Sequence, residues 1–352
     1  MLKNSSLIVC CMLVIAAVLC SLAQADTPDP VHVFIMAGQS NMQGKARVEI
    51  GHAGVSGAIG SLRYLVNTDP AHYGQLVNSN GTWATRSDVW INYNTGSIEA
   101  PITVRGNLTA GYGDVGNITS SDPRLGPELG FGYVMGDLFS GQVLLIKEAW
   151  GGKSLAVDFR PPSSGGTTGP YYTQILNDVQ NVLNDLSTYF PGYQGQGHKL
   201  EGFAWHQGWN DRVTQAYNDE YEYNLANLIR DLRKDLNVPN LPFVLASTGM
   251  SGWGETNSRA LSLMAAQAAV ADPAKYPEFA GNVGFVETRD FWRDASVSPA
   301  NQGYHWNQNA ETLYLIGQGM GESMAALVPE PATCLLILGG AVGLCRRRRR
   351  GQ

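Results

Sequence analysis

Two apolar patterns alternate along the chain and predict its elements. Short continuous apolar runs, bounded by glycine or polar residues, occupy residues 31–36, 142–146, 200–205, 241–246 and 283–286. Runs of this length read as strands buried on both faces. Between them the apolar positions recur at helical spacing. Leu129, Phe131, Val134 and Leu138 predict one helix, and Tyr172, Ile175, Leu176, Val179, Val182, Leu183 and Leu186 predict another with a single apolar face. Further helices are expected around 217–236, over 258–271 and over 309–326. Strands alternating with helices predict an α/β fold with a mostly parallel sheet covered on both faces. Residues 45–122 depart from the pattern. They are rich in Gly, Asn, Ser and Thr without a sustained helical period, and are expected to form loops and short strands over one face. There is no internal repeat and no nucleotide-binding glycine fingerprint.

Both ends of the chain carry a different pattern. Lys3, an apolar run over 7–22 and Ala23-Gln24-Ala25 form the charged, apolar and small-residue regions of a secretory signal over 1–25. At the other end, Pro329-Glu330-Pro331 precedes an apolar stretch over 332–344, then Cys345 and the five arginines Arg346 to Arg350. An apolar segment stopped by a cationic cluster reads as a membrane-retention signal with its basic end in the cytoplasm. This tail, 329–352, resembles the PEP-CTERM sorting signal of bacterial exported proteins. The resemblance implies cleavage by envelope sorting machinery and delivery to the cell envelope or surface; a plain C-terminal anchor is the alternative. Either way, the body at 26–328 is expected to work outside the cytoplasm, in the periplasm or at the surface.

That body is long enough for one large α/β domain. Lys3, Arg346 to Arg350 and Glu330 lie in the end segments, so the 24 basic and 30 acidic side chains of the chain leave 18 and 29 in the body, a net charge near −11. Such a surface does not suit nucleic acid or polyanionic partners. All five cysteines, Cys10, Cys11, Cys20, Cys334 and Cys345, fall in the end segments, which removes disulfides, thiol nucleophiles and cysteine-ligated zinc from the body.

In a parallel sheet the reactive residues gather at the carboxyl ends of the strands. The first strand runs into Ala37-Gly38-Gln39-Ser40-Asn41-Met42, where a glycine allows the sharp turn that exposes a serine hydroxyl. The second leads to Trp150-Gly151-Gly152-Lys153-Ser154, the third to Trp205-His206-Gln207-Gly208-Trp209-Asn210-Asp211, and the segment after the last strand to Gly303-Tyr304-His305-Trp306. Acyl transfer needs a hydroxyl nucleophile, an imidazole to take its proton, and donors aimed at the developing oxyanion. Ser40 and His305 fill the first two roles. The main-chain N–H of Ser40, that of Gly152 or Gly151, and the Gln207 side-chain amide fit the third. His206 reads as a core or supporting histidine, since one base suffices. Asn41 beside the serine, with Trp209 and Trp306, are the candidates for sugar contact, because tryptophans clustered around polar residues suit stacking on sugar rings.

Taken together, residues 37–44, Gly126-Pro127-Glu128-Leu129-Gly130-Phe131, Trp150-Gly151-Gly152-Lys153-Ser154, Trp205-His206-Gln207-Gly208 and His305 followed by Asn309-Ala310-Glu311-Thr312 resemble the sialate O-acetylesterase domain and carbohydrate esterase family 6, within the SGNH hydrolase superfamily. The resemblance spans roughly 31–326. It implies a three-layer α/β/α flavodoxin-like fold and deacetylation of O-acetylated sugars, with neither metal nor organic cofactor. Ser40 is then the nucleophile, His305 the base, and Gly152 and Gln207 join Ser40 in the oxyanion hole. Two positions depart from that family's pattern. Gln302 stands three residues before the histidine, where an aspartate is common, and Trp209 follows His-Gln-Gly, where many members have glutamate. The orienting acid is therefore open: Asp211 shares the Gln207 strand end, Asp290 and Asp294 lie upstream of His305, and a Ser-His dyad also works, because the acid only fixes the tautomer and stabilises the imidazolium. The expected function is an exported carbohydrate O-acetylesterase acting on sialic acid or on plant or envelope polysaccharide. The alternatives are a surface carbohydrate-binding protein on an impaired hydrolase scaffold and a lipid or aryl esterase.

Overall fold

The computed structural model describes residues 29–49, 59–115 and 121–328; the predicted secretory signal and sorting tail lie outside the described residues. Its strands are β1 (Val31–Gly38), β2 (Ala46–Arg47), β3 (Arg86–Gly96), β4 (Pro101–Leu108), β5 (Arg124–Leu125), β6 (Val143–Ala149), β7 (His198–His206), β8 (Phe243–Ala246) and β9 (Val283–Val286). Seven of them form one sheet in the order β4-β3-β6-β1-β7-β8-β9, in which β4 alone runs antiparallel to its neighbour. β2 and β5 pair as a small separate ribbon.

Side-chain alternation along β1 explains the three layers. Val31, Val33 and Ile35 point into one core, shared with helices Pro170–Asn184 and Gln215–Asp235. Phe34 and Met36 point into the other, shared with helices Glu128–Leu138 and Ala310–Ala325. All five are fully buried, and each such side chain contributes about 1.5–3 kcal/mol on leaving water. The flanking helices start where the sequence provides caps: Asn257 Oδ1 accepts from the N–H groups of Arg259 and Ala260, Asn309 Oδ1 accepts from that of Thr312, and Pro170 occupies a first-turn position. The doubly covered parallel sheet and the α/β/α layering agree with the sequence reading.

Residues 45–122 differ from it. Instead of loops over one face, β3 and β4 extend the main sheet, and β3 pairs in parallel with β6. The polar residues that read as loop are interior. Asn94 donates to Glu148 Oε1 at 2.7 Å, and Asn92 Oδ1 accepts from Arg105 Nε at 2.5 Å.

The strand predicted at 142–146 also continues to Ala149, taking two adjacent charges, Lys147 and Glu148, into the interior; neither has solvent exposure. Lys147 Nζ donates to Gln43 O (2.8 Å), Tyr112 O (2.7 Å) and Glu128 Oε2 (2.7 Å), and lies 4.2 Å from the centre of the Tyr93 ring. Glu128 Oε1 accepts the Gly126 N–H at 2.8 Å. On the opposite face, the other oxygen of Glu148 finds no N–H or O–H donor and meets the Asp178 carboxyl of helix Pro170–Asn184. Two carboxyl groups bond only through a proton. Burial first, and then Asp178, push Glu148 well above the ordinary carboxylate range, and burial raises Asp178 as well.

Removing one partner of a buried pair leaves the other uncompensated. Lys147→Met is therefore expected to lower unfolding free energy by about 3–5 kcal/mol in denaturant titration, with part recovered on adding Glu128→Gln; a change of under about 1 kcal/mol would show the pair to be dispensable. For Glu148 the folded-state pKa lies above the unfolded one. The folded protein holds a proton the unfolded chain has released, so this contribution to stability falls as pH rises above the ordinary carboxylate range. Glu148→Gln supplies an N–H in place of that proton. It should raise Tm by a few degrees at pH 8, roughly what 1 kcal/mol gives in a domain of this size, and by less at pH 5. An equal shift at both pH values would contradict the shared proton.

Candidate active site

β1, β6, β7, β8 and β9 are parallel, so their carboxyl ends share one edge. The chain builds the sheet on the β6 side of β1 and then crosses to the β7 side, which makes β1 the strand at which the order reverses. Crevices at such points hold the ligands of open α/β sheets. Ser40 stands there, between the turns that follow β6 and β7.

The elbow at Ser40 depends on Gly38. A Cβ there would lie 2.2 Å from His206 O, so no other residue lets β1 and β7 approach this closely. Ser40 then opens a four-residue helix, Ser40–Gln43, and its N–H has no acceptor within that helix. The polar neighbours of Ser40 bind the surrounding strand ends. Gln39 Oε1 accepts from the N–H groups of Gly208 (3.1 Å) and Asn210 (3.2 Å) and from Gln207 Nε2 (3.3 Å). Asn41 Nδ2 donates to Tyr304 O at 3.2 Å, tying the residue after Ser40 to the residue before His305. Gln43 Nε2 donates to Thr95 Oγ1 at 2.7 Å, and Gln43 O receives Lys147. Among the described residues, the Ser40 hydroxyl makes no hydrogen bond, and the residue as a whole is 8% exposed. Gln39, Gln43 and Lys147 are the members of this framework that the sequence reading gave no role.

After β6, Gly151 lies against the Ser40 elbow: a Cβ on it would be 3.8 Å from Ser40 Cβ. Gly152 has φ +72° with open space around it, so glycine is required there by conformation and not by room. The turn is closed by Ser154, whose N–H and hydroxyl both reach Asp158 Oδ2.

Gln207 and Asp211 are fully engaged. Gln207 Nε2 donates to Asp211 Oδ2 at 2.5 Å and to Lys153 O at 3.0 Å, with Gln39 Oε1 as a third acceptor, while Gln207 Oε1 accepts from Tyr221. The amide has two hydrogens. Both are committed, and they clamp the turn that carries Gly152 through its neighbour Lys153. Asp211 accepts from Gln207 and from the N–H groups of Leu155 and Ala156, each of the latter at 2.9 Å. It is buried, and desolvation raises its pKa to about 6 against those three bonds. No hydrogen bond joins Asp211 to His305, so its expected role as the orienting acid meets a carboxylate spent on another set of partners. The rivals are spent too: Asp290 holds the Trp253 indole and Asp294 that of Trp292.

His305 lies in the segment Gly303–Gln308, half-buried, with its ring 4.4 Å from that of Tyr304. Desolvation, followed by the charges of Lys45 and Arg124 against that of Asp114, lowers its pKa to about 4. The imidazole is therefore neutral at physiological pH. Gln302, in the position of the missing aspartate, accepts the main-chain N–H of His305 on its main-chain oxygen and binds Gln308 through its side chain. Trp306, Asn307 and Gln308 all have positive φ, a cost of order 1–3 kcal/mol each for residues with side chains. Burial of the Trp306 indole, the bond from Asn307 Nδ2 to Arg293 O and those from Arg47 and Arg124 to Gln308 Oε1 hold them there.

This corrects one expectation. Trp306 is completely buried and packs toward His206 and Trp292, so it offers no face to a sugar. Asn41 is also interior and acts as a tie between loops. Trp209 is half-buried, packed on Tyr304 (5.8 Å) and under Arg212 (3.9 Å). His206 is fully buried, its ring lowered to about 4 by burial, with Nδ1 3.3 Å from Ala246 O and Nε2 unpartnered.

Comparison with known proteins places this geometry. The family described as carbohydrate esterase, sialic acid-specific acetylesterase matches residues 30–311, and the PEP-CTERM protein-sorting motif matches 327–350. A crystal structure of an Arabidopsis thaliana protein is similar at a TM-score of 0.51, with 16% identity over 86% of this chain and 100% of its own. A carbohydrate acetylesterase from Xanthomonas citri gives a TM-score of 0.48 and 14% identity; the alignment covers 83% of this chain and 57% of that protein. At such identities the likeness is one of fold. No protein of curated function matches the chain. With the family match covering nearly all of the described sheet and its edge, the chain belongs to the carbohydrate esterases of the sialic acid-specific acetylesterase family and carries a PEP-CTERM sorting motif.

Proposed function

We propose that this protein is an exported carbohydrate O-acetylesterase that works through an acetyl-serine intermediate on Ser40. The observation that carries this reading is the Ser40 elbow at the sheet's switch point, whose hydroxyl makes no hydrogen bond among the described residues while Gln39, Asn41 and Gln43 are bound to four neighbouring segments, one of them the His305 loop.

In this mechanism His305, neutral at physiological pH, takes the proton of Ser40 as Oγ attacks the acetyl carbonyl. The tetrahedral oxyanion is met by the N–H groups of Ser40 and Gly152. Each donor of this kind typically contributes about 3–4 kcal/mol to the transition state. Gln207, first considered as a donor, instead holds the Gly152 turn through Lys153 O, and Asp211 holds Gln207. Collapse of the intermediate expels the sugar oxygen, which takes the proton from the imidazolium. Water then attacks acetyl-Ser40 by the reverse roles and acetate leaves. His305 acts without a carboxylate partner, as a dyad, since Asp211, Asp290 and Asp294 all hold other groups. Serine and histidine need a mutual hydrogen bond at the moment of reaction, and in unliganded enzymes that bond often forms only with substrate in place.

The sorting motif supports delivery to the cell envelope. The secretory signal at 1–25, a mature body at 26–328 and retention by the tail at 329–352 complete the proposal. Among the described residues no helix is long and apolar enough to cross a membrane. The partners are an O-acetylated carbohydrate and, through the tail, the sorting machinery. Among the described residues no acid is bound to His305, which favours a second reading: a surface carbohydrate-binding protein on the same scaffold.

Acetate release from acetylated xylan, pectin and sialic acid, measured on the purified body, separates the two. The expected result is release that Ser40→Ala lowers by at least about 10⁴-fold while near-UV circular dichroism is unchanged; sugar binding without release would establish the binding protein. The pH dependence tests the base. Because His305 must be neutral and its pKa is lowered to about 4, kcat/KM should stay level from pH 8 down to 5 and fall below that with a midpoint near 4. A midpoint near 6 would contradict the lowered imidazole, because an ordinary imidazole and the Asp211 carboxyl, raised to about 6, both titrate there; Asp211→Asn would tell the two apart.

A further inference from the structure

Trp253 is 64% exposed, yet it is held rigidly. Its Nε1–H donates to Asp290 Oδ1 at 2.7 Å, and the Arg289 guanidinium covers one face of the indole at 3.8 Å. Arg289 is itself fixed by a two-pronged pair with Glu287, at 2.9 and 2.6 Å. The other face of the ring is left to solvent. The chain is bent to present it: Ser251, a residue with a side chain, has φ +73°, and Gly252 follows at +60°. A strained turn that holds a large aromatic group in water works against stability twice over, and such features persist where they serve a ligand.

The position of this ring is set by contacts that run back to the reaction centre. Met250, three residues earlier, has its sulfur 3.9 Å from Asn41 Nδ2, beside Ser40. A Cβ on Gly252 would touch Trp292 at 3.1 Å, and Trp292 also borders Gly303 in the His305 loop. Trp209, Trp253 and Trp292 thus follow the carboxyl ends of β7, β8 and β9 in turn, with the Tyr304 ring 5.8 Å from that of Trp209. Charge along this row is balanced. Arg212 pairs with Glu255, Arg289 with Glu287 and Arg293 with Glu311, while Asp290 and Asp294 bind indole N–H groups. Among the described residues, each of the three arginines of this row, Arg212, Arg289 and Arg293, already has its carboxylate, and the two indole-bound aspartates repel a carboxylate ligand.

We propose that Trp253 is a stacking platform for a second sugar ring, so that the substrate is a neutral pyranose chain running from Ser40 toward Trp253. This rests on the esterase reading of Ser40. An aromatic face, apolar and rigid with a polar edge fixed elsewhere, matches the C–H face of a pyranose and asks for no charge.

The test has two arms. In the first, binding of xylo-oligosaccharides from xylose to xylohexaose to the Ser40→Ala protein is followed by calorimetry. Affinity should rise with chain length and lose that rise when Trp253→Ala is added; Trp253→Tyr should restore part of it. In the second, kcat/KM for acetylated xylo-oligosaccharide is compared with that for a small aryl acetate. Their ratio should fall about tenfold in Trp253→Ala, the size of one lost ring contact. Affinity independent of chain length, an equal loss on both substrates, or tighter binding of sialyllactose or oligogalacturonate than of the neutral chain would overturn the platform. The binding arm needs no turnover, so a failure of the Ser40 chemistry shows only in the second arm and is distinguishable from a failure of the platform.

Discussion

The structure depends on the buried ammonium of Lys147. It reaches three oxygens that belong to three different segments: Gln43 at the end of the Ser40 helix, Tyr112 in the chain leaving β4, and Glu128 at the start of the helix that covers one face of the sheet. Glu128 passes the constraint on to Gly126. A buried pair of this kind is a poor source of net stability, because desolvating two charges costs several kcal/mol and a well-packed apolar pair of the same volume often does as well or better. What it supplies is position. An apolar residue at 147 would not fix the carbonyl of Gln43, and the serine elbow would keep its strand but lose its far anchor.

From that anchor the candidate site divides labour between groups that react and groups that hold. Ser40 and His305 make no side-chain hydrogen bond among the described residues; Ser40 is buried with a residual 8% exposure and His305 is half-buried. Around them Gln39, Asn41, Gln43, Gln207 and Asp211 each bind neighbouring segments, with Asn41 Oδ1 left unpartnered among the described residues. Hydrogen bonds between groups that so little water reaches are strong, which makes the surrounding network stiff. The same burial explains the electrostatics: a half-buried imidazole near Lys45 and Arg124 gives up its proton easily, and a carboxylate with three N–H donors still titrates high because so little water reaches it.

Much of this was legible in the sequence. Five of the six parallel strands stand out because doubly buried strands must be apolar throughout, and the Ser40 elbow because a glycine permits the sharp turn, to which the structure adds its contact with His206. What escaped had the opposite chemistry. β3 reads as loop because Asn92 and Asn94 are interior polar residues, and β6 reads short because Lys147 and Glu148 are charges inside a core; nothing local announces the partners that make either tolerable. Asp211 was matched to its role by its place at the Gln207 strand end and Trp306 by residue type, and burial, which a lone sequence does not display, redirects both. Trp253 went unremarked for the converse reason, since a tryptophan is ordinarily core and only the fold shows this one to be exposed.

The most direct measurement of the central claim is covalent: the protein is incubated with an active-site-directed fluorophosphonate and its peptides are mapped by mass spectrometry. The account requires a single label on Ser40, formed in step with loss of acetate release and slowed when His305 is replaced. A label on another serine that tracks the loss, or complete inhibition with Ser40 unmodified, would contradict it.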